Sequence, residues 1–481
     1  MSRFVGRRTE LGILRKRLER VDRDGTGIAV AIRGRRQVGK SRLVQELCDR
    51  SGLPYVFFTA IKGASSTEAV SLFLAELADS TLPRNPDLVP RTPPAGGWVD
   101  VLRLLAGVLP DGPCIVVLDE LPWLSEQDET FDAALQVAWD RLLGRHPVLL
   151  LLLGSDLHMM QRLTAYDRPF YGRADTFVLG PLNPAETADA LDLPAVDAFD
   201  AHLITGGLPG IVRRWPTGTP PMDLLRQECA DPASPIFSVP EQSLSAEFAN
   251  PDLARRVLEA VGGGDRTFAN IAATAGSQAG ALPSGTLSPL LQRMVTDKGV
   301  LAADEPLSAR AGRPALYRVA DSNLRLYLAV LRDAQQHIRR GRPEAAFGLV
   351  ERRWATWRGR AIEPLVREGL ELGAAADALP WPDVATVGGW WNRRFDPEID
   401  LVGADRTPVA SRIDFVGSVK WVSVPFDRHN LAVLRQGAAQ VPGFDPETTG
   451  LVVVSRSGAE LPADAVDLVW GPTDLLAVWP R

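Results

Sequence analysis

The fold class is decided by one stretch of the chain, Gly34-Arg35-Arg36-Gln37-Val38-Gly39-Lys40-Ser41. It fits the pattern G-x-x-x-x-G-K-[ST], in which glycines let backbone N–H groups surround phosphate oxygens. An apolar run typical of a strand precedes it, and an amphipathic run typical of a helix follows it, at Ile28 to Arg33 and Ser41 to Arg50. A helix that begins here adds partial positive charge beside the phosphates. The stretch therefore predicts a phosphate-binding loop.

The predicted roles within this loop are divided among its side chains. Lys40 is expected to reach the β- and γ-phosphates of ATP, and the Ser41 hydroxyl is expected to bind Mg²⁺. We therefore expect ATP and Mg²⁺ as cofactors. The predicted nucleotide contacts in this part of the chain are Gly34, Arg35, Arg36, Gln37, Val38, Gly39, Lys40, Ser41 and Arg42.

The second motif is acidic. The apolar run Cys114 to Leu118, typical of a buried strand, is followed directly by Asp119 and Glu120. An open α/β sheet presents its ligand-binding groups at this end of its strands. Asp119 is expected to hold Mg²⁺ through water, and Glu120 to act as general base on the attacking water. Ser155, just after the next apolar run, is either a γ-phosphate sensor or a plain strand-end cap.

Strand-like and helix-like runs alternate over residues 1 to about 180. The further runs are a strand at Pro54 to Ala60, a helix at Ala69 to Asp79 and a strand at Val148 to Leu153. This alternation predicts a doubly wound, parallel α/β sheet of the P-loop NTPase type. Residues 181 to 250 look mainly helical. Residues from 345 onward begin with a helix, expected at Glu351 to Leu372, and continue as β-rich runs.

Composition excludes several classes of protein. Of the 481 residues, 45% are hydrophobic and 23% charged, which is typical of a globular protein with ample core. The net charge of −6 argues against a molecule that binds nucleic acid over its whole surface. The N-terminus has no apolar signal region, and no apolar run is long enough for a membrane span. The three cysteines, Cys48, Cys114 and Cys229, lack metal-ligand spacing, so we expect a reducing cytoplasm.

With these residues in view, the chain resembles the prokaryotic, archaeal-type P-loop ATPases of the AAA+/STAND group. An N-terminal segment looks like the adenine-side motif of that group, and a later one is similar to a lid motif that approaches the nucleotide. The resemblance implies adenine-side contacts from Phe4 and Val5 and a lid contact from Pro209. The segments that carry it are 4–11, 119–124, Tyr171-Gly172-Arg173 and Thr205-Gly206-Gly207-Leu208-Pro209.

The resemblance also implies a division into four domains. Residues 1–180 would form the ATPase core, 181–250 a helical lid, 251–335 a winged helix and 345–481 a domain like a restriction nuclease. The winged-helix pattern has helices at Pro251 to Gly262, Phe268 to Gly276 and Ser284 to Asp297, then a wing over Val300 to Val319.

Arginines supply the remaining candidates for charge stabilisation. Arg168 and Arg173 are candidates to stabilise the transition state, in cis or from a neighbouring copy of the chain. In the predicted winged helix, cationic side chains could follow the phosphates of double-stranded DNA, but winged helices also pack against proteins. Both alternatives stay open at this point. The DNA-contact candidates are Arg293, Arg310, Arg313 and Arg318.

The nuclease-like pattern is incomplete. Such sites need one acid on a strand and a carboxylate-x-Lys on the next strand, which together hold Mg²⁺ and orient water. Asp400 supplies the first acid, Lys420 the lysine, and Glu363 matches an extra acid on the preceding helix. Position 418, where an acid is expected, holds serine, which is a poor Mg²⁺ ligand. We therefore expect little or no nuclease activity.

The function predicted from the sequence is an ATP-hydrolysing switch coupled to a winged helix and a nuclease-like domain. DNA is one candidate partner and a homo-oligomer is one candidate assembly. The rival hypothesis is a scaffold or signalling protein that holds nucleotide, turns it over slowly and binds a protein partner.

Overall fold

The computed structural model describes residues 4–155, 159–160, 166, 168, 170–247, 251–276, 280–311 and 314–481. The chain forms two compact units. The first contains Met1–Pro181 and Leu208–Gly210, and the second contains Leu182–Gly207 and Ile211–Arg481. The chain therefore enters the second unit, returns to the first for three residues and enters the second again.

The first unit is built on five strands that alternate with helices. The strands are β1 (Ile28–Arg33), β2 (Tyr55–Thr59), β3 (Cys114–Asp119), β4 (Val148–Gly154) and β5 (Ala174–Val178). The α-helices are Arg8–Asp24, Lys40–Ser51, Ser66–Asp79, Gly97–Val108, Pro122–Gln127 and Phe131–Arg141. Short 3₁₀ turns lie at Pro86–Leu88 and Leu143–Arg145.

All five strands are parallel, in the order β2-β3-β4-β1-β5. Alternate residues of each strand face opposite sides of the sheet. Ala29 and Ala31 of β1 belong to one hydrophobic cluster with the helices Ser66–Asp79 and Gly97–Val108, while Val30 and Ile32 are buried outside it. The predicted α/β fold with a parallel sheet is confirmed.

The second unit contains many helices and two further sheets. Its strands are β6 (Leu301–Asp304), β7 (Leu316–Val319), β8 (Thr386–Trp391), β9 (Glu398–Ala404), β10 (Ile413–Lys420), β11 (Gly450–Ser455) and β12 (Leu468–Trp470). Its α-helices are Pro184–Leu191, Ala195–Thr205, Pro221–Cys229, Pro235–Glu247, Pro251–Gly263, Phe268–Thr274, Ser284–Thr296, Ser322–Leu326, Arg332–Arg339, Pro343–Ala361, Glu363–Ala375, Arg428–Ala438 and Pro472–Ala477. A π-helical turn, Tyr327–Leu331, joins Ser322–Leu326 to Arg332–Arg339, and the short helix Pro209–Val212 lies where the chain passes between the units.

The sheets of the second unit agree with the predicted β-rich runs. Strands β6 and β7 form an antiparallel pair that follows three helices, as the winged-helix pattern requires. The larger sheet has the order β12-β11-β10-β9-β8 and is mixed, since β8, β9 and β10 pair antiparallel while β10, β11 and β12 pair parallel. The domain names and boundaries assigned from the sequence stay predictions.

The single helix predicted at Glu351 to Leu372 is wrong. The structure has two helices there, Pro343–Ala361 and Glu363–Ala375, separated at Ile362. Pro364 explains the break, because proline has no N–H to donate to the carbonyl of Arg360 and its ring disfavours helical backbone before it. The Arg360 carbonyl instead accepts a hydrogen bond from the Arg325 side chain at 3.3 Å.

All three cysteines are free and buried, and burial raises the pKa of each thiol to about 12. Within the described part of the chain, none of the helices combines the length and apolar character of a membrane span.

Candidate functional site

The predicted phosphate loop connects β1 to the helix Lys40–Ser51. Gln37 and Gly39 have φ angles of 67° and 91°, in the left-handed region that winds a chain tightly. At Gly34 a Cβ would lie 2.4 Å from the carbonyl oxygen of Leu179, so only glycine fits against the segment that follows β5. Residues 34–41 therefore form a compact loop at the carboxyl end of the sheet.

Lys40 is held inside this loop. Its ammonium donates to the carbonyl oxygens of Gly34 and Arg35 at 2.7 and 3.1 Å, and the residue is 5% exposed. Burial lowers the pKa of Lys40 to about 8, although the nearby Glu120 and Asp119 oppose the shift. A cation whose partners are neutral carbonyls is well placed to exchange them for phosphate oxygens.

A chain of hydrogen bonds joins the loop to the ends of β3 and β4. The Ser41 hydroxyl donates to Asp119 Oδ2 at 2.7 Å, and Asp119 Oδ1 accepts the Glu120 N–H at 2.9 Å. The Ser155 hydroxyl donates to Glu120 Oε1 at 2.7 Å. Burial raises the pKa of Asp119, and the hydrogen bonds from Ser41 and Glu120 partly offset this. Because β4 lies between β1 and β3, all four residues lie together at the carboxyl end of the sheet.

Glu120 has an unusual backbone. Its φ of 53° lies in the left-handed region, which costs a non-glycine residue about 1–3 kcal/mol. The Asp119 carboxylate accepts its N–H, and the next N–H, of Leu121, donates to the Leu153 carbonyl at 2.9 Å. Strain of this kind is concentrated at functional sites, where the surrounding structure maintains it.

The N-terminal segment lies against the helix of the loop. Phe4 is within 5.7 Å of the guanidinium groups of both Arg42 and Arg50, and Val5 beside it is partly buried. Arg42 also forms an ion pair with Glu46 at 2.7 Å. The adenine-side role of Phe4 and Val5 stays a prediction.

Arg7 is a site residue to which the sequence assigned no role. It is 4% exposed and donates to the carbonyl oxygens of Val38 at 3.0 Å and Gly180 at 2.6 Å, so it ties the phosphate loop to the segment after β5. The contacts with Val38 and Gly180 involve backbone carbonyls, which no sequence pattern marks, whereas Glu10, three residues further on, forms an ion pair with Arg7 at 2.8 Å.

Pro209 approaches the phosphate loop as the lid resemblance implies. A Cβ at Gly39 would lie 3.5 Å from Pro209 Cγ. Pro209 belongs to the three-residue segment of the first unit whose flanking residues lie in the second. The backbone on either side of this three-residue segment therefore continues into the second unit.

Arg173 is not brought to the phosphate loop of its own chain. It precedes β5, whose first residue, Ala174, pairs with Ala29 at the start of β1, whereas the loop begins after the end of β1. The six residues of β1 span about 20 Å. Arg173 instead forms a double ion pair with Asp140, at 2.8 and 2.9 Å. This corrects the cis alternative, and the role from a neighbouring copy stays a prediction, as does any role for Arg168.

The four arginines predicted to contact DNA have different surroundings. Arg293 and Arg310 are exposed, and Arg313 lies outside the described residues. Arg318 on β7 forms an ion pair with Asp304 on β6 at 2.9 Å and is 25% exposed. Arg318 is therefore already engaged with Asp304, and its contact with DNA stays a prediction.

The nuclease-like residues lie together in the second unit. Asp400 Oδ2 accepts from the Ser418 hydroxyl at 2.9 Å and from the Val419 N–H at 2.8 Å. Lys420 donates to Asn430 Oδ1 at 2.5 Å. Burial, and then the charge of Asp400, raises the pKa of Glu363 to about 7. Serine thus donates to Asp400 at the position where a second carboxylate would bind metal, and the described residues contain no cluster of three or more metal-binding side chains.

Two family models match parts of the chain. Residues 3–151 match the AAA ATPase domain, a range that includes the phosphate loop, Asp119 and Glu120. Residues 327–430 match a family described as archaea bacterial proteins of unknown function. A comparison with curated proteins gave no match. The first match supports the P-loop ATPase prediction for the first unit.

Solved structures give partial matches. A Walker-type ATPase of Pyrococcus abyssi has 17% identity and a TM-score of 0.47, with 68% of this chain and 96% of that chain covered. The ORC2 protein of Aeropyrum pernix, in ADPNP–ADP complexes, has 14% identity and a TM-score of 0.45, with 71% and 95% covered. The ORC1 protein of the same organism, in complex with DNA, has 14% identity and a TM-score of 0.32, with 73% and 95% covered.

Proposed function

We propose that the chain is an ATPase that uses Mg²⁺-ATP bound at residues 34–41 to control its second unit. The observation that carries the proposal is the hydrogen-bond chain Ser41–Asp119–Glu120–Ser155 beside the buried Lys40. This arrangement places a cation, two oxygen ligands for a metal ion and a carboxylate base together at the carboxyl end of the sheet. These are the parts that phosphoryl transfer to water requires.

Each residue has a distinct task in this proposal. Lys40 leaves the carbonyls of Gly34 and Arg35 and binds the β- and γ-phosphates. Ser41 and Asp119 would hold Mg²⁺, which neutralises phosphate charge when bound. Glu120 takes the proton of the attacking water, and Ser155 orients the Glu120 carboxylate. The strained backbone of Glu120 fixes the direction in which its side chain projects.

We propose that the second unit responds to the nucleotide through the segment Leu208–Gly210. Pro209 lies against Gly39, and the chain passes into the second unit on both sides of this segment. Within the second unit, the helices 184–247 would form a lid, the helices and hairpin 251–319 a winged helix, and the mixed sheet a nuclease-like domain. Among the described candidates for contact with duplex DNA, Arg293 and Arg310 are exposed.

The test is steady-state ATP turnover and nucleotide binding by calorimetry, with and without duplex DNA. Lys40→Ala is expected to abolish nucleotide binding, because it removes the charge on the phosphates. Glu120→Gln is expected to keep ATP binding and stop turnover, since an amide is not a base. Glu126→Gln, at an exposed position on the next helix, is the matched control and is expected to retain wild-type turnover.

The outcomes separate the two functions. Normal ATP affinity in Lys40→Ala contradicts the phosphate loop, and normal turnover in Glu120→Gln contradicts the general base. A wild-type chain that retains one nucleotide without repeated turnover would be the nucleotide-controlled scaffold instead. Stimulation of turnover by duplex DNA, lost when Arg293 and Arg310 are replaced together, identifies DNA as the partner.

A further inference from the structure

A second, separate cavity lies in the second unit. Its volume is about 160 Å³, and it lies beside the end of the helix Pro251–Gly263, the β6–β7 hairpin and the junction at Ile362 between two helices. Its charged lining is dominated by arginines, which gives it its name here, the arginine cavity. The five are Arg266, Arg318, Arg325, Arg360 and Arg367.

Three of these arginines already have acidic partners in the second unit. The pairs are Arg266 with Glu398 at 2.8 Å, Arg318 with Asp304 at 2.9 Å and Arg367 with Glu363 at 3.4 Å. Among the described residues, Arg325 and Arg360 form no ion pair. Two of the five guanidinium groups are therefore without a carboxylate partner.

Arg325 shows the imbalance most clearly. It is partly buried, and its side chain donates a hydrogen bond to a neutral carbonyl, that of Arg360, which Pro364 leaves without a helical donor. Burial, and then the charge of Arg318, lowers the pKa of Arg325 to about 10 despite nearby acids. Buried cations in proteins are ordinarily matched by an anion. Here the match from the protein is incomplete.

Opposing charges do not remove the surplus. Asp304 and Glu363 are the acids in the lining, and Glu398 beside it pairs with Arg266, so three carboxylates face five arginines. The carbonyl end of the helix Pro251–Gly263 adds a weak negative field. The lining as a whole still favours an anion.

The size and the other lining residues restrict the ligand. The volume of about 160 Å³ is about half of the roughly 300 Å³ at which sites for whole drug-sized ligands begin. Trp357 and Tyr317 also line the cavity, and the buried Trp357 Nε1 has no hydrogen-bond partner in the described part of the chain. A tetrahedral anion with several acceptor oxygens fits such a set of donors.

We propose that the arginine cavity binds the terminal phosphoryl group of a phosphomonoester, with the rest of that ligand outside the cavity. The group can come from a free nucleoside monophosphate or from the 5′-phosphate end of a nucleic acid strand. Arg325 and Arg360 contact the phosphate, and the cavity holds little more than that group. This site is distinct from the ATP site, which lies in the first unit.

The test is calorimetry on the full-length chain carrying Lys40→Ala, which removes competing phosphate binding at residues 34–41. The ligands are inorganic phosphate, adenosine 5′-monophosphate, adenosine, and one short DNA strand with either a 5′-phosphate or a 5′-hydroxyl. Phosphate and the monophosphate are expected to bind, and adenosine is not. Tighter binding of the phosphorylated strand than of the monophosphate identifies the strand end as the source, and the reverse order identifies the nucleotide.

Substitutions decide whether the binding belongs to this cavity. Arg360→Gln, at an exposed position, and Arg325→Gln are each expected to weaken phosphate binding about tenfold or more, the loss typical of a hydrogen bond to a charged group. Arg352→Gln, exposed on the same helix as Arg360, carries the same charge change and is expected to bind as before. Thermal melting shows which variants fold. No saturable phosphate binding, or binding unchanged in a folded Arg360→Gln chain, overturns the proposal.

Discussion

At the scale of single residues, Ser155 is the neighbour that restrains the Glu120 carboxylate. Its hydroxyl donates to Glu120 Oε1 at 2.7 Å, in a hydrogen bond with a charged acceptor. Ser155→Ala is expected to lower kcat about tenfold or more, since such bonds are worth about 1.5–3 kcal/mol, while ATP affinity stays unchanged. The measurement is kcat and nucleotide affinity on the same preparation.

The matched control for Ser155→Ala is Ser71→Ala. The Ser71 hydroxyl donates to the Thr67 carbonyl within its own helix, at 3.0 Å, so its loss should leave turnover unchanged. If Ser155→Ala retains wild-type kcat, Ser155 is a plain strand-end cap, which is the other alternative that the sequence allowed.

The candidate ATP site could be predicted residue by residue where local sequence determines it. Lys40 and Ser41 follow from the spacing of the loop, and Asp119 follows from the apolar strand before it. The link from Arg7 to the phosphate loop could not be predicted, because it runs through the carbonyls of Val38 and Gly180, and any residue provides a carbonyl, whereas its ion pair with Glu10 is local. These contacts of Arg7 therefore become apparent only in the folded chain.

At the scale of helices and strands, the helix Ala195–Thr205 buries His202 almost completely. Its ring nitrogen Nδ1 lies 3.3 Å from the Thr187 hydroxyl, and burial lowers the pKa of His202 from 6.5 to about 4. Below pH 6.5 the unfolded chain takes up a proton on this ring that the folded chain does not accept until about pH 4. Stability from this residue is therefore full above pH 6.5 and is lost as the pH falls towards 4.

The expected size of this loss is about 3 kcal/mol in the free energy of unfolding. His202→Gln should cost stability at pH 8 but should have a smaller acid dependence, so its difference from wild type shrinks between pH 6.5 and 4. Denaturant unfolding across that range measures it. His429→Gln, at an exposed helical position, is the control. Parallel pH profiles of wild type and His202→Gln would contradict the prediction.

The nuclease-like sheet is the second element-scale case. Ser418 and Lys420 lie two residues apart on β10 and share a face, and Ser418 donates to Asp400 from the neighbouring strand β9. Wild type is expected to leave plasmid and linear DNA intact with Mg²⁺ or Mn²⁺, because the second carboxylate is absent. Ser418→Glu supplies that acid and is expected to raise metal affinity, measured by calorimetry.

Ser423→Glu provides the control for that experiment, since it adds the same charge at an exposed position beyond the end of β10. Metal affinity should rise only for position 418. DNA cutting by wild type that disappears in Asp400→Ala would show that another acid, such as Glu363, completes a working site.

Strands could be predicted from the sequence better than helix ends. Continuous apolar runs placed β1, β3 and β4 correctly because strands covered on both faces have no polar alternation to interpret. The prediction of one continuous helix from Glu351 to Leu372 was wrong. The helical periodicity of the side chains continues across Pro364, but proline has no N–H with which to continue the backbone hydrogen bonds. The ion pair of Arg318 could not be predicted, because its partner Asp304 comes from the other strand of the hairpin, a contact set by the pairing of β6 and β7.

At the scale of the whole molecule, the return of one short segment to the first unit could not be predicted. Four domains were expected from the order of patterns along the chain, but Leu208–Gly210 belongs to the first unit although it is surrounded in sequence by the second. A segment this short has no composition of its own, and only its packing places it. Within this segment, Pro209 lies against Gly39 of the phosphate loop.

The position of Arg173 leads to a prediction about assembly. Arg173 lies at the end of the sheet opposite its own phosphate loop. Any role in hydrolysis therefore requires a second copy of the chain. An arginine supplied in this way stabilises transition-state charge and is worth about 10³–10⁵ in turnover in other P-loop enzymes. Arg173→Ala is therefore expected to bind ATP normally and to lose most of its turnover.

Mixing two inactive variants tests this directly. Lys40→Ala cannot bind nucleotide but retains Arg173, whereas Arg173→Ala retains the nucleotide site, so a mixed assembly should recover part of the wild-type turnover. Asp140→Asn is the matched control, because it breaks the Arg173–Asp140 ion pair and leaves the guanidinium in place, and it should keep turnover. Full activity of Arg173→Ala alone would show that Arg173 serves only its ion pair with Asp140. Loss of activity without recovery on mixing would place its effect within its own chain.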